Sequence, residues 1–195
     1  MSEWDEYADG WDDDPVARAY AAAAWESLLR LASRIGIELD GATVCDFGCG
    51  TGLLTERLAP VAARVDAVDL SEAMRAVLAE KTAQHGWEHV AVLDRLPAAL
   101  TGGYGLVVAS SVLAFVDDHP ATVAALAERL ASGGLLVHWD WEADPDDPDG
   151  GGLSVEAARA ALEGAGLVEI SVGTGFEVPF EGEVMRPLMA AARRP

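Results

Sequence analysis

The run Asp46-Phe47-Gly48-Cys49-Gly50-Thr51-Gly52 sets a carboxylate two residues ahead of three alternating glycines. Without a Cβ, such a loop turns sharply and brings its backbone N–H groups close to a ligand. Pyrophosphate is the ligand of the dinucleotide pattern G-x-G-x-x-G. Here the glycines fall instead at Gly48, Gly50 and Gly52, and the acid ahead of them repels phosphate while attracting the ammonium of an amino-acid-like ligand. A tight strand-to-helix turn with glycines for packing alone is the structural alternative. Roughly 20 residues further on, Asp69 closes an apolar run at the distance of an acid that accepts hydrogen bonds from a ribose. Its alternative role is a helix cap, but Ser71 already fills that position for the segment EAMRAVLAE.

These residues need a frame to position them. Asp14 followed by Pro15 starts a helix, and the apolar periodicity of VARAYAAAAWESLLRLASRIG carries it to Gly36. Short apolar runs then alternate with amphipathic helices. TVCDF precedes a helix over GLLTERLAPVA, and RVDAVDL precedes one over SEAMRAVLAEKTAQHG. HVAVLD and GLVVASSV follow as strands, then a helix through ATVAALAERLASGG, the strand LLVHWDW, the helix SVEAARAALEGAG and the strand LVEISVGTGFEV. Alternation with short connections predicts parallel βαβ units in a doubly wound α/β sheet with helices on both faces. The stretch ADPDDPDGGG reads as a loop. Trp4, Tyr7 and Trp11, at i, i+3 and i+7, would share a face if their segment is one helix. A chain of 195 residues predicts a single domain, with an N-terminal cover and helix over 1–36 and an α/β core over 42–195.

The overall charge of −20, from 13 basic and 33 acidic residues, argues against nucleic acid and anionic membranes as partners. Lys81 is the sole lysine. Charges interrupt every apolar run well short of the ~18 residues a membrane span needs. The acidic start, Met1 to Asp14, is the reverse of a secretory leader, so a cytoplasmic location is expected. Cys45 and Cys49 form neither a disulfide framework nor a zinc-type CxxC pair, and no metal is expected.

The DFGCGTG loop resembles the E/D-x-G-x-G-x-G loop of class I S-adenosylmethionine-dependent methyltransferases, particularly the small quinone-biosynthesis group, and the resemblance extends along nearly the whole chain. It implies a Rossmann-like, mostly parallel seven-stranded sheet. It also implies S-adenosylmethionine as cofactor, its methionine part wrapped by Asp46, Gly48, Cys49, Gly50 and Thr51, its ribose on Asp69 and its adenine against Leu70 and Met74. Met74 serves equally as core packing. Asp94 matches an acid that touches the adenine amino group in relatives, but Asp94-Arg95-Leu96-Pro97 is shorter than their pattern. Ser110 corresponds to the segment under the methionine tail, and Trp4, Tyr7 and Trp11 to a lid. Trp139 and Trp141 would wall an acceptor site, with Asp140 on the opposite strand face.

The implied function is methyl transfer to a small-molecule acceptor by a monomer or homodimer. A non-catalytic cofactor-binding module and a nicotinamide-dependent oxidoreductase are the alternatives. Alignment and desolvation carry most of such a reaction, so a base is required only when the acceptor atom must lose a proton. Candidates are Tyr7, His119, His138 and Asp140, each with a structural alternative: capping or surface for His119, strand core for His138.

Overall fold

The computed structural model describes residues 3–98, 100–143, 151–180 and 183–195. Its contacts gather into two compact units, residues 1–98 and 99–195. In the first unit, strands β1 (Thr43–Phe47), β2 (Arg64–Val68) and β3 (Val90–Leu93) pair in parallel, in the order β3-β2-β1. Val44, Cys45, Val65, Ala67 and Val68 are buried, which explains why these strands read as continuous apolar runs.

Helix α1 (Pro15–Ile35) begins as its sequence dictates. The Asp14 carboxylate accepts from Val16 N at 2.7 Å, and Pro15 occupies the first turn, where a missing N–H costs nothing. Gly36, at φ 68°, ends it in the left-handed conformation that glycine adopts without strain. Helix α3 (Glu72–His85) is capped by the Ser71 hydroxyl, which accepts from Met74 N at 3.1 Å. Between them, α2 is a single turn, Thr55–Leu58, rather than a helix through residues 52–62. Gly52 sits at φ 90°, outside helical space, and Pro60 cannot donate the N–H that would extend the turn.

Trp4, Tyr7 and Trp11 do not share one helix. They lie on two short 3-10 turns, Glu3–Tyr7 and Trp11–Asp13, separated by Gly10 at φ 82°.

The second unit holds β4 (Tyr104–Ser110), α4 (His119–Arg129), β5 (Leu130–Asp140), α5 (Val155–Gly164), β6 (Val168–Thr174), a small antiparallel hairpin of β7 (Val178–Phe180) and β8 (Glu183–Met185), and β9 (Leu188–Arg193). Strands β4 and β5 are parallel, and β9 lies between β5 and β6, antiparallel to both. With β7 and β8 set apart, seven strands make the mostly parallel, Rossmann-like sheet that was expected.

Helix α4 stops at Arg129 instead of running through the following SGG, because Leu130 pairs with Tyr104 and the register then slips so that Leu106 meets Leu135. The slip needs glycine: a Cβ on Gly134 would stand 2.7 Å from the Tyr104 carbonyl oxygen. Strand β9 was not foreseen, since Leu-Met-Ala-Ala-Ala-Arg carries no β-branched residue. It is a strand by burial, with Ala190, Ala191 and Ala192 all enclosed. Most of the predicted loop ADPDDPDGGG, residues 144–150, lies outside the described residues. On either side of it, Glu142 and Leu153 form a parallel bridge.

Candidate cofactor and acceptor sites

The glycine loop of the first unit leaves β1 and turns over the end of β2. Gly48, Gly50 and Gly52 have φ of 70°, 53° and 90°, so each adopts a conformation that a side chain would strain. The Val68 carbonyl accepts from the N–H groups of Gly48 and Cys49 at 2.7 and 3.0 Å, which fixes the loop to β2. A Cβ on Gly52 would collide with Leu78 of α3, whereas one on Gly50 would meet only the Met74 sulfur, at 3.9 Å. Met74 is buried beneath the loop, and Leu70 exposes 84% of its surface beside it. The helix after the loop has one turn only, so backbone N–H groups and side chains carry the polarity here, with little macrodipole behind them.

Asp69 is the hinge of this half-site. One carboxylate oxygen accepts from Gly50 N at 2.8 Å and the other from Ser71 N at 2.8 Å, joining the loop to the start of α3. Each oxygen keeps a second lone pair. Asp46 is buried and accepts from the Thr55 hydroxyl at 2.5 Å. Burial pushes its carboxyl up to about 7, with Asp69 adding to the rise and Thr55 opposing it. The Cys49 thiol is driven well upward by burial and by the same two carboxyls, which keeps it protonated and poorly nucleophilic. Asp94, the residue matched to the adenine amino group, is exposed and forms a two-pronged pair with Arg95 at 3.0 and 2.7 Å, and that bond lowers its pKa.

The N-terminal turns fasten onto these same groups, through contacts that sequence reasoning missed. Asp5 accepts from the Ser71 hydroxyl at 2.6 Å, and Asp12 accepts from the Thr51 hydroxyl at 2.6 Å. Lys81, from α3, binds Asp12 at 2.5 Å and Glu56 at 2.6 Å. Tyr7 is 56% exposed, its ring tilted against Trp4 with centroids 6.0 Å apart.

In the second unit, Ser110 ends β4, and Ser111 follows at φ 57°, a strained conformation for a side-chain-bearing residue. Ser111 N donates to the Trp139 carbonyl at 2.6 Å, and its hydroxyl accepts from Trp141 Nε1 at 3.0 Å. Trp139 is fully buried and Trp141 half exposed. On the other strand face, His138 Nδ1 and Asp140 are 2.8 Å apart and both are completely enclosed. The second Asp140 oxygen accepts from Ala114 N at 3.0 Å. His119, the first residue of α4, presents its ring edge to His138 with centroids 6.0 Å apart. Three of the four candidate bases therefore cluster. Alternation along β5 puts His138 on the same face as Asp140, the signal in the sequence from which the pair could have been found. No group of metal-ligand type is assembled among the described residues.

The first half-site suits a cofactor with an amino-acid end and a ribose. Its cradle has a carboxylate with free lone pairs, glycine positions open where a Cβ would intrude, and a buried acid ahead of the loop. That arrangement on a mostly parallel sheet defines the fold of class I S-adenosylmethionine-dependent methyltransferases. Residues 17–173 match the family model of the methyltransferase domain, and the chain belongs to that family.

It is 33% identical over 129 residues to a ubiquinone biosynthesis O-methyltransferase of Xanthomonas euvesicatoria, covering 65% of this chain and 53% of that enzyme, so it spans about half of that relative's length. Its fold resembles a SAM-dependent methyltransferase from Aquifex aeolicus (TM-score 0.69, 18% identity, 98% of both chains). It also resembles magnesium protoporphyrin IX methyltransferase from Synechocystis with bound SAH (TM-score 0.70, 21% identity, 92% of this chain and 85% of that one). Among the described residues no helix is long and apolar enough to cross a membrane.

Proposed function

We propose that this protein transfers the methyl group of S-adenosylmethionine to an oxygen of a small-molecule acceptor. The observation that carries the reading is Asp69, whose carboxylate bridges Gly50 N and Ser71 N and retains acceptor capacity for two ribose hydroxyls. Asp46 and the backbone of Gly48, Cys49, Gly50 and Thr51 hold the amino-acid end. Leu70 and Met74 flank the base, and the bound cofactor supplies a methyl group already activated by its sulfonium. Similarity to an O-methyltransferase supports oxygen as the acceptor atom. The excess of acids supports a small molecule rather than nucleic acid as the acceptor.

Calorimetry tests the cofactor assignment. S-adenosylmethionine and S-adenosylhomocysteine should bind the protein, and Asp69→Ala should weaken both by roughly 1.5–3 kcal/mol for each charge-assisted bond lost. Unchanged affinity in a folded variant, or tight NAD binding without S-adenosylmethionine binding, rules the assignment out.

A further inference from the structure

The His119, His138 and Asp140 cluster has features that packing does not account for. His138 is completely enclosed on β5, and its Nδ1 lies 2.8 Å from a carboxylate oxygen of Asp140. Asp140 also accepts from Ala114 N at its other oxygen, so a His138 that donates from Nδ1 leaves both carboxylate oxygens hydrogen-bonded. In that neutral tautomer the lone pair of His138 is at Nε2. Among the described residues neither this atom nor Nε2 of His119 has a hydrogen-bond partner, although both are buried. Two unpartnered ring nitrogens on rings 6.0 Å apart are a costly feature to retain in a core. A group that brings a proton satisfies them. The cluster stands at the end of β5 and the start of α4, beside the strained Ser111. In open α/β sheets, ligands gather outside the carboxyl ends of the strands.

Resting on the O-methyltransferase reading above, we propose that His119 is the base that removes the proton of the acceptor hydroxyl, with His138 and Asp140 positioning it and the Asp140 carboxylate stabilising the cation it becomes. The acceptor's O–H bond breaks, its proton forms an N–H bond at Nε2 of His119, and the electron pair stays on oxygen as the nucleophile for the methyl group. His119 is held neutral near neutral pH, its pKa lowered by burial and then by His138, with Asp140 and Asp118 opposing the shift. A neutral imidazole is the form a base requires. A carboxylate acceptor would need no base and would be repelled by Asp140 and Asp118. The substrate class is therefore a neutral hydroxyl compound, a phenol or enol, whose proton is acidic enough for imidazole to take.

Two measurements test this without a known substrate. Nitrogen-15 spectra of the histidine rings should show His138 as the Nδ1–H tautomer with Nε2 unprotonated at neutral pH. A His138 carrying its proton on Nε2 overturns the arrangement. In the second measurement, the protein saturated with S-adenosylhomocysteine is titrated with 4-nitrophenol at a pH where the free phenol is mainly neutral. The bound probe should show the nitrophenolate absorption band, its apparent pKa lowered about tenfold in ionisation constant. His119→Gln should abolish that band while S-adenosylhomocysteine affinity is unchanged, and Asp140→Asn should reduce it. No binding, binding in the neutral form, or an unchanged band in His119→Gln overturns the proposal. Loss of S-adenosylhomocysteine binding by the unaltered protein would instead overturn the methyltransferase reading, so the two failures are distinguishable.

Discussion

Burial sets the charge of Asp46. Its carboxyl is pushed up to about 7, so the folded protein binds a proton there that the unfolded chain, near 3.8, releases. The stability this group contributes is full below the unfolded pKa and is lost as pH rises from about 4 through about 7. Asp46→Asn should therefore flatten the pH dependence of urea unfolding in that window, and an unchanged slope would show that Asp46 is already ionised. The same residue makes cofactor binding release a proton. An ammonium at Asp46 favours the carboxylate, so calorimetry at pH 7 in buffers of different ionisation enthalpy should show a fractional proton set free, and affinity should rise with pH. Binding enthalpy that is independent of buffer would contradict the contact. Asp46, Asp69 and the three glycines were legible in the sequence because turn chemistry and strand ends are local. The partners of Asp46 and Thr51 were not, since Thr55 and Asp12 lie 9 and 39 residues away in the chain.

Elements were legible where a cap or a period marked them. Asp14-Pro15 and Gly36 bound α1, and Ser71 and Gly86 bound α3, as the cap chemistry requires. Where tertiary pairing decided, the sequence misled: α4 ended early at Arg129 and the alanine-rich β9 became a buried strand, while α2 shrank to a turn between Gly52 and Pro60. The N-terminal segment falls between these cases. Its aromatic spacing suggested one helix, but what fastens it is polar: Asp5 on Ser71, and Asp12 on Thr51 and Lys81. Lys81→Met should release this strap, since it leaves Asp12 and Glu56 facing each other without their shared cation. Amide exchange in residues 4–12 should then quicken by about tenfold or more while β1, β2 and β3 keep their protection. Deleting residues 2–13 should leave the first unit folded, because α1 carries its own cap at Asp14, yet weaken cofactor affinity. Equal exchange in the segment with and without S-adenosylhomocysteine would mark it as static packing.

At the scale of the whole molecule, charge dominates. A net charge of −20 on 195 residues means that folding gathers like charges, and the resulting repulsion opposes the compact state. Composition made this legible from the start, whereas the use of the only lysine in the N-terminal latch needed the fold. The two respond to salt in opposite directions. Raising ionic strength from about 0.01 M to about 1 M shortens the Debye length from about 30 Å to about 3 Å, which screens the general repulsion almost completely. The thermal midpoint should therefore climb with added KCl, and most steeply at the low end, where screening changes fastest. A rise that follows the salting-out order of the anions rather than ionic strength would point to apolar burial as the cause. The Lys81 pair with Asp12 gains nothing from screening, but with its lysine side chain only 15% exposed it is less accessible to ions than a surface pair. Exchange in residues 4–12 should thus quicken modestly with salt while the rest of the first unit is stabilised. In Lys81→Met, where Asp12 and Glu56 face each other without a cation, the local response should reverse, salt now slowing exchange, and the global one remain. If the thermal midpoint of Lys81→Met instead becomes much more sensitive to salt than that of the unaltered protein, the repulsion is concentrated at the latch rather than spread over the acidic surface.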